Sequence, residues 1–221
     1  VSLIDANDPN AKPVEFVPRE DGLEYSIAKH GDDYYVLTNL DAVNFRLMRV
    51  STDKLGDKQH WQEVIPHKED TRLEDIELFD QHLVYKQRQR GLTEVFVRNL
   101  NTGDEQELSF RDKAYTLYFY GNKEADNPEL RLYYTSMTTP GSHYNVDLNS
   151  LDKALLKQQP VVGDFKPENY ASERLFVTAR DGAEVPVTLV YRKDKFKKDG
   201  TNPLYQYGYG SYGSTSEPSF S

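Results

Sequence analysis

The stretch PLYQYGYGSYG, residues 203–213, carries side chains that could take part in acyl transfer. Tyrosines stand at positions 205, 207, 209 and 212, among three glycines. A tyrosine hydroxyl can donate a hydrogen bond to the oxyanion that forms when a carbonyl is attacked. Tyr209 lies between Gly208 and Gly210, which would allow the backbone to turn its ring towards a site. The residues alone equally allow Tyr209 to be an aromatic side chain buried at the end of a strand.

Other nucleophiles, metal ligands and cofactor motifs are not indicated. Ser211 stands in a sequence that resembles G-x-S-x-G, but position 209 is Tyr, and a nucleophile elbow needs its serine between a strand and a helix. The five histidines form no H-E-x-x-H or other close ligand pattern, and the chain has no cysteine. We therefore predict no metal site and no cofactor.

Charge and hydropathy exclude two classes of partner. The net charge of −9 is distributed along the chain, whereas nucleic-acid binding requires a basic face. No run of about 18 apolar residues occurs, so no membrane span is predicted.

The part of the chain before the tyrosine-rich stretch contains an internal repeat. Strand-like runs start at residues 34 (YYVLTN), 83 (LVYKQR) and 132 (LYYTSM), and a second set starts at 45, 94 and 143, so both sets have a spacing of 49. Turn signals separate the runs, and each unit has room for four strands. The fourth strand of the third unit, near residues 155–162, could equally be a helical turn capped by Ser150.

Four-stranded units of about 40 to 50 residues are typical of a β-propeller. A β-solenoid or a sandwich is the alternative. Residues 1–160 then correspond to about three blades, whereas propellers typically have about four to eight. We therefore expect the chain to be an internal segment of a longer protein. The open stack of blades would expose apolar surface and allow self-association.

The pattern changes after residue 160. Pro160, Gly163 and Pro167 predict a linker at residues 161–169. The run ERLFVTARDGAEVPVTLVYRKD predicts a hairpin about Asp181 and Gly182. A polar loop leads to a third strand in PLYQYGYG. This order is typical of the first strands of an α/β-hydrolase domain, which we predict, incomplete, for residues 170–221. The predicted fold is therefore mostly β.

The sequence YASERLFVTARDGAEVPVTLVYRKD, followed by PLYQYGYGSYG and EPSFS, resembles the prolyl oligopeptidase family of serine peptidases, and most closely its oligopeptidase B branch. The specific motifs occupy about the last 55 residues. The resemblance implies a propeller joined to an α/β-hydrolase domain with a Ser-Asp-His triad, all three members of which would lie beyond Ser221.

The resemblance also assigns roles to three residues. Tyr209 matches the tyrosine whose hydroxyl donates to the oxyanion, and Tyr212 matches an aromatic residue that lines the substrate pocket. Glu217 matches an acidic residue that meets a basic substrate side chain, although Ser219 stands where a second acid would be expected.

The function implied is hydrolysis of short peptides after Arg or Lys through an acyl-enzyme, with the chain itself inactive. The resemblance implies a cytoplasmic location and leaves a periplasmic one open. The alternative from a different class is a non-enzymatic propeller that serves as a binding module.

Overall fold

The computed structural model describes the whole chain, Val1–Ser221, as β-strands joined by turns. A short ladder of β1 (Ser2–Leu3) and β2 (Val14–Glu15) comes first. Three four-stranded antiparallel sheets follow, and the strands within each sheet are adjacent in sequence order. The first sheet contains β3 (Tyr25–His30), β4 (Asp33–Thr38), β5 (Arg46–Ser51) and β6 (Gln62–Ile65). The second contains β7 (Thr71–Leu78), β8 (His82–Gln89), β9 (Leu92–Asn99) and β10 (Glu105–Glu107). The third contains β11 (Tyr115–Phe119), β12 (Glu129–Ser136), β13 (Ser142–Asp147) and β14 (Lys153–Gln158).

The last pair of strands is a hairpin of β15 (Tyr170–Thr178) and β16 (Glu184–Arg192). The helical segments are 3₁₀ turns of three residues, namely Thr52–Lys54, Lys58–His60, Pro167–Asn169 and Ser211–Gly213. None of them has the length or the apolar character that crossing a membrane requires.

The predicted series of four-stranded units is confirmed. The equivalent strands β4, β8 and β12 begin at Asp33, His82 and Glu129, which are 49 and 47 residues apart and close to the predicted spacing of 49. The ambiguous segment of the third unit is the strand β14 and not a helical turn. The boundaries proposed between propeller, linker and hydrolase domain stay a prediction.

The chain divides into two compact units, and the first comprises Val1–Gln89, Glu94–Glu107 and Glu124–Asn127. Both faces of the first sheet are buried in it. One face belongs to a cluster of Phe16, Val17, Val36, Met48, Val50 and Trp61. The other face packs in a cluster of Tyr35, Leu37, Leu47, Ile65, Leu73, Leu83 and Tyr85. Because successive side chains of a strand point to opposite faces, burial of both faces requires the near-continuous apolar run of β4.

The second unit comprises Arg90–Thr93, Leu108–Lys123 and Pro128–Ser221. The core of the third sheet contains the fully buried Leu117, Leu130, Leu132 and Val146. Next to it the rings of Phe110 and Tyr134 stack with their centroids 4.5 Å apart. Asp112 accepts hydrogen bonds from the hydroxyls of Tyr134 and Thr139, both at 2.7 Å. Burial, together with the hydrogen bond to Asp112, raises the pKa of Tyr134.

The hairpin predicted about Asp181 and Gly182 is confirmed. Gly182 adopts a φ of 87°, which glycine reaches without strain, and the Ala179 N–H donates to the Ala183 carbonyl at 2.8 Å. Apolar side chains of the hairpin remain 37–51% exposed, among them Leu175, Phe176, Val177, Val185 and Val190.

The third strand predicted for PLYQYGYG does not form. Residues 203–210 have no regular secondary structure, and the hairpin is a sheet of two strands only. A strand is stable only when its backbone groups pair with a neighbouring strand, and none lies beside this segment. The two antiparallel strands of β15 and β16 therefore do not show the α/β-hydrolase fold that was predicted for residues 170–221.

Candidate functional site

The candidate site is the loop that follows the hairpin, residues 203–221. The chain reverses there at the 3₁₀ turn Ser211–Gly213, where Tyr212 has φ 57° and ψ 34° and Gly213 has φ 71°. Gly208 and Gly210, the glycines expected to make this turn, do not use the left-handed region. The reversal therefore occurs later in the chain than the sequence suggested, and a tyrosine occupies one of its two left-handed positions.

The backbone of Tyr209 is held by one side chain. The Tyr209 N–H donates to Ser216 Oγ at 3.0 Å, and the Ser216 hydroxyl donates to the Tyr209 carbonyl at 3.3 Å. Both backbone polar groups of Tyr209 are thus paired, although the residue lies outside any strand. Sequence reasoning missed Ser216, because the serines and the threonine at 211, 214, 215 and 216 look equivalent in the sequence.

The tyrosine side chains of the loop are exposed to different degrees. The ring of Tyr209 is 51% exposed, whereas Tyr205, Tyr207 and Tyr212 are 89%, 72% and 99% exposed. The Tyr209 hydroxyl has no hydrogen-bond partner in the chain. In this chain Tyr209 is half-exposed and lies outside any strand, and its hydroxyl is free to donate a hydrogen bond.

Glu217 is half-buried at the C-terminal side of the loop. The Thr215 hydroxyl donates to its Oε1 at 2.5 Å, and its own carbonyl accepts the Ser219 N–H at 2.8 Å. The carboxylate is held close to the same loop that carries Tyr209. A carboxylate held in this way can attract a cationic group, although solvent weakens the interaction.

The tail after Glu217 is fixed to the third sheet. Pro218 is buried, and the Phe220 N–H donates to Thr135 Oγ1 of β12 at 3.1 Å. The Phe220 ring also meets the Phe165 ring edge-on, with their centroids 5.0 Å apart. These contacts anchor one end of the loop to a buried strand.

The loop contains no nucleophile–base pair. Histidine side chains interact elsewhere: His30 with the Asp80 carbonyl at 3.1 Å, His60 with Asp57 at 3.6 Å, and His143 with neighbouring tyrosine rings. Ser211 uses its carbonyl, which accepts the Ser214 N–H at 3.1 Å. No group of three or more acidic or histidine side chains could hold a metal ion. The loop therefore presents a hydroxyl that can donate a hydrogen bond, but no activated side chain that could attack a carbonyl.

Comparison with known proteins identifies a family model and several proteins to which the chain is similar. The family model described as the N-terminal β-propeller domain of prolyl oligopeptidase matches residues 1–159. The chain is 38% identical to dipeptidyl aminopeptidase BI of Pseudoxanthomonas mexicana, over 96% of this chain and 30% of that protein. It is 33% identical to protease 2 of Moraxella lacunata, over 100% of this chain and 31% of that protein.

Solved structures agree with the sequence relatives. Oligopeptidase B from Trypanosoma brucei with covalently bound antipain is similar over 98% of this chain and 31% of its own, with a TM-score of 0.84 and 33% identity. Oligopeptidase B from Leishmania major is similar over 100% of this chain and 32% of its own, with a TM-score of 0.85 and 30% identity. The chain thus spans about a third of the length of these relatives. The match of the family model over residues 1–159, together with these likenesses, means that the chain belongs to the prolyl oligopeptidase family.

Proposed function

We propose that this chain is part of a serine oligopeptidase that hydrolyses short peptides after Arg or Lys through an acyl-enzyme. The observation that carries the proposal is Tyr209, whose hydroxyl has no partner in the chain while its backbone is held at both polar groups. The names of the relatives, which include protease 2 and dipeptidyl aminopeptidase BI, support peptidase activity.

Tyr209 serves the acyl-transfer steps as an oxyanion donor. When a serine attacks the scissile carbonyl, the carbonyl oxygen gains negative charge in a tetrahedral intermediate. A donor that is already oriented stabilises this charge without further reorganisation, and it does so more in the transition state than in the ground state. This chain supplies the donor, and the serine and its base come from the remaining length that the relatives possess.

Glu217 and Tyr212 bind the substrate in this proposal. The carboxylate of Glu217 attracts the side chain of Arg or Lys on the acyl side of the scissile bond. The ring of Tyr212, which is 99% exposed, supplies contact area to the peptide. Because Ser219 replaces a second acid, the preference for basic residues rests on a single carboxylate.

The experiment is substitution of Tyr209 by Phe in the full-length protein. Tyr209→Phe removes one hydroxyl and almost no volume, so the fold should remain. Loss of one oxyanion donor lowers kcat by on the order of 10²–10³, equivalent to about 3–4 kcal/mol, with little change in KM.

Tyr205→Phe and Tyr207→Phe are the matched controls, since they lie in the same exposed loop and have no role in the proposal. All variants are measured on one arginyl peptide amide. If kcat of Tyr209→Phe stays within about threefold of the parent, which is about 0.7 kcal/mol, Tyr209 is not the donor. A full-length protein that hydrolyses no peptide at all would instead favour a non-enzymatic binding propeller.

A further inference from the structure

The loop contains a second residue whose contacts bear on the proposed chemistry. We propose that Ser216 is a positioning residue that sets the orientation of Tyr209, an inference that rests on the proposed function. Its hydroxyl accepts the Tyr209 N–H at 3.0 Å and donates to the Tyr209 carbonyl at 3.3 Å. One side chain therefore makes the pair of hydrogen bonds that a neighbouring residue would make in an antiparallel sheet.

The residues on either side of Tyr209 have no side chains that could restrict its backbone. Tyr209 is flanked by Gly208 and Gly210, and a Cβ atom added at either glycine would meet no atom within 4 Å. Gly208 and Gly210 therefore contribute no packing that restricts Tyr209, and glycine leaves the backbone free to rotate on both sides. The two hydrogen bonds to Ser216 hold the peptide units that carry the ring.

Ser216 lies close in sequence to residues that are anchored on the third sheet. Two residues later Pro218 is buried, and the Phe220 N–H is bound to Thr135 Oγ1 at 3.1 Å. Thr135 is only 4% exposed, on a central strand of the third sheet. The strand therefore holds the short tail that contains Ser216, and Ser216 in turn holds the backbone of Tyr209.

The requirement for such a contact follows from the geometry of oxyanion stabilisation. A donor acts only when it lies about 2.7–3.1 Å from the place where the oxyanion forms. A misplacement of about 1 Å can lower a rate by on the order of 10². A ring on a glycine-flanked backbone would populate many positions, and the Ser216 contacts restrict them before substrate arrives.

The test combines Ser216→Ala with Tyr209→Phe in the full-length protein, and measures kcat and KM for each single variant and the double variant on an arginyl peptide amide. We expect Ser216→Ala to lower kcat by about 10- to 100-fold with KM within about twofold. Ser216→Thr keeps the hydroxyl and should retain kcat within about threefold of the parent. In the Tyr209→Phe background, Ser216→Ala should lower kcat by less than about twofold, because the group it positions is gone.

Ser214→Ala is the control, since this serine lies in the same loop and forms its hydrogen bond, to the Ser211 carbonyl, through its backbone N–H. It should leave kcat unchanged. Hydrogen exchange of a peptide containing the Tyr209 amide gives a readout independent of activity, and should be about tenfold faster in Ser216→Ala than in Ser214→Ala.

The outcomes separate the two proposals. If Tyr209→Phe lowers kcat but Ser216→Ala does not, or if their effects multiply independently, Ser216 has no positioning role and the proposed function stands. Unchanged exchange of the Tyr209 amide in Ser216→Ala overturns the inference in the same way. If Tyr209→Phe leaves kcat unchanged, the oxyanion donor is refuted, and the role of Ser216 falls with it.

Discussion

The turns that join the third and fourth strands of the second and third sheets permit a sharp test of backbone strain. In the first, the Gly103 N–H donates to the Asn99 carbonyl at 2.9 Å, and in the second the Leu151 N–H donates to the Asp147 carbonyl at 2.8 Å. The residue that donates this hydrogen bond is in the left-handed region in both turns, with φ of 80° at Gly103 and 62° at Leu151. The same turn is therefore built once with glycine and once with a residue that the conformation penalises.

The size of the effect follows from this comparison. The left-handed conformation costs a residue with a Cβ about 1–2 kcal/mol, and glycine at a fixed position loses about 0.5–1 kcal/mol through its greater freedom when unfolded. Leu151→Gly should therefore raise the free energy of unfolding by about 0.5–1 kcal/mol. A Cβ added at Gly103 would meet no atom within 4 Å, so only backbone strain would act there. Gly103→Ala should therefore lower the free energy of unfolding by about 1 kcal/mol.

Urea unfolding of the chain measures both variants. Leu156→Gly is the control, because this exposed leucine lies inside strand β14, where glycine weakens the strand and relieves no strain. It should lower the free energy of unfolding by about 0.5–1 kcal/mol. The reasoning is refuted if Leu151→Gly destabilises the chain as much as Leu156→Gly does, since packing of the leucine side chain would then outweigh the strain.

Three further predictions concern charges and anchors. Burial raises the pKa of Asp75, so this carboxyl group binds a proton more tightly in the folded protein than in the unfolded one. The charged carboxylate therefore lowers stability at pH 7, and Asp75→Asn should raise the free energy of unfolding there. The gain should vanish as the pH falls below about 3.9, the ordinary pKa of Asp. Asp70 is the control of opposite sign, because hydrogen bonds from the side chains of Gln89 and Thr71 lower its pKa. Asp70→Asn should lower the free energy of unfolding at pH 7 and leave it unchanged at low pH. Urea unfolding across about pH 3–7 measures both variants. Thr135→Val removes the acceptor of the Phe220 N–H and also the hydrogen bond that the Thr135 hydroxyl donates to the Thr139 carbonyl, and should lower the free energy of unfolding by about 1–3 kcal/mol. Greater sensitivity of the tail to limited proteolysis reports on the Phe220 contact, and an unchanged tail would show that Phe220 is held by ring packing alone. In the full-length protein, Glu217→Gln should lower kcat/KM for Arg and Lys substrates more than for neutral ones, with a difference that shrinks as salt is added, whereas equal losses would limit Glu217 to a structural role.

The repeating part of the fold was predictable because it is encoded locally. Apolar runs that return at a fixed spacing, separated by turn residues, determine both the number of strands and their order in each sheet. The hairpin about Gly182 was predictable for the same reason, since its turn chemistry and its two strands are adjacent in the sequence.

The loop after the hairpin could not be predicted in the same way. The run at 203–210 has the tyrosine-rich composition of a strand, but strand formation depends on a neighbour that local sequence cannot specify. The left-handed conformations of Tyr212 and Leu151 were missed because sequence rules assign such positions to glycine first. The contact between Phe220 and Thr135 joins residues 85 positions apart, and no local pattern marks it.

In the role that we propose for Tyr209, the hydroxyl must be unpaired before the reaction and the residue must be held in place, and these two demands fall on its side chain and its backbone respectively. The side chain of Tyr209 is half exposed with an unpaired hydroxyl, whereas its backbone N–H and carbonyl are both bound to Ser216. Tyr212 lacks this combination, since its ring is 99% exposed and projects from a turn. A substrate contact requires area more than orientation, and for this reason we propose that Tyr212 lines the substrate pocket and that Tyr209 donates the hydrogen bond.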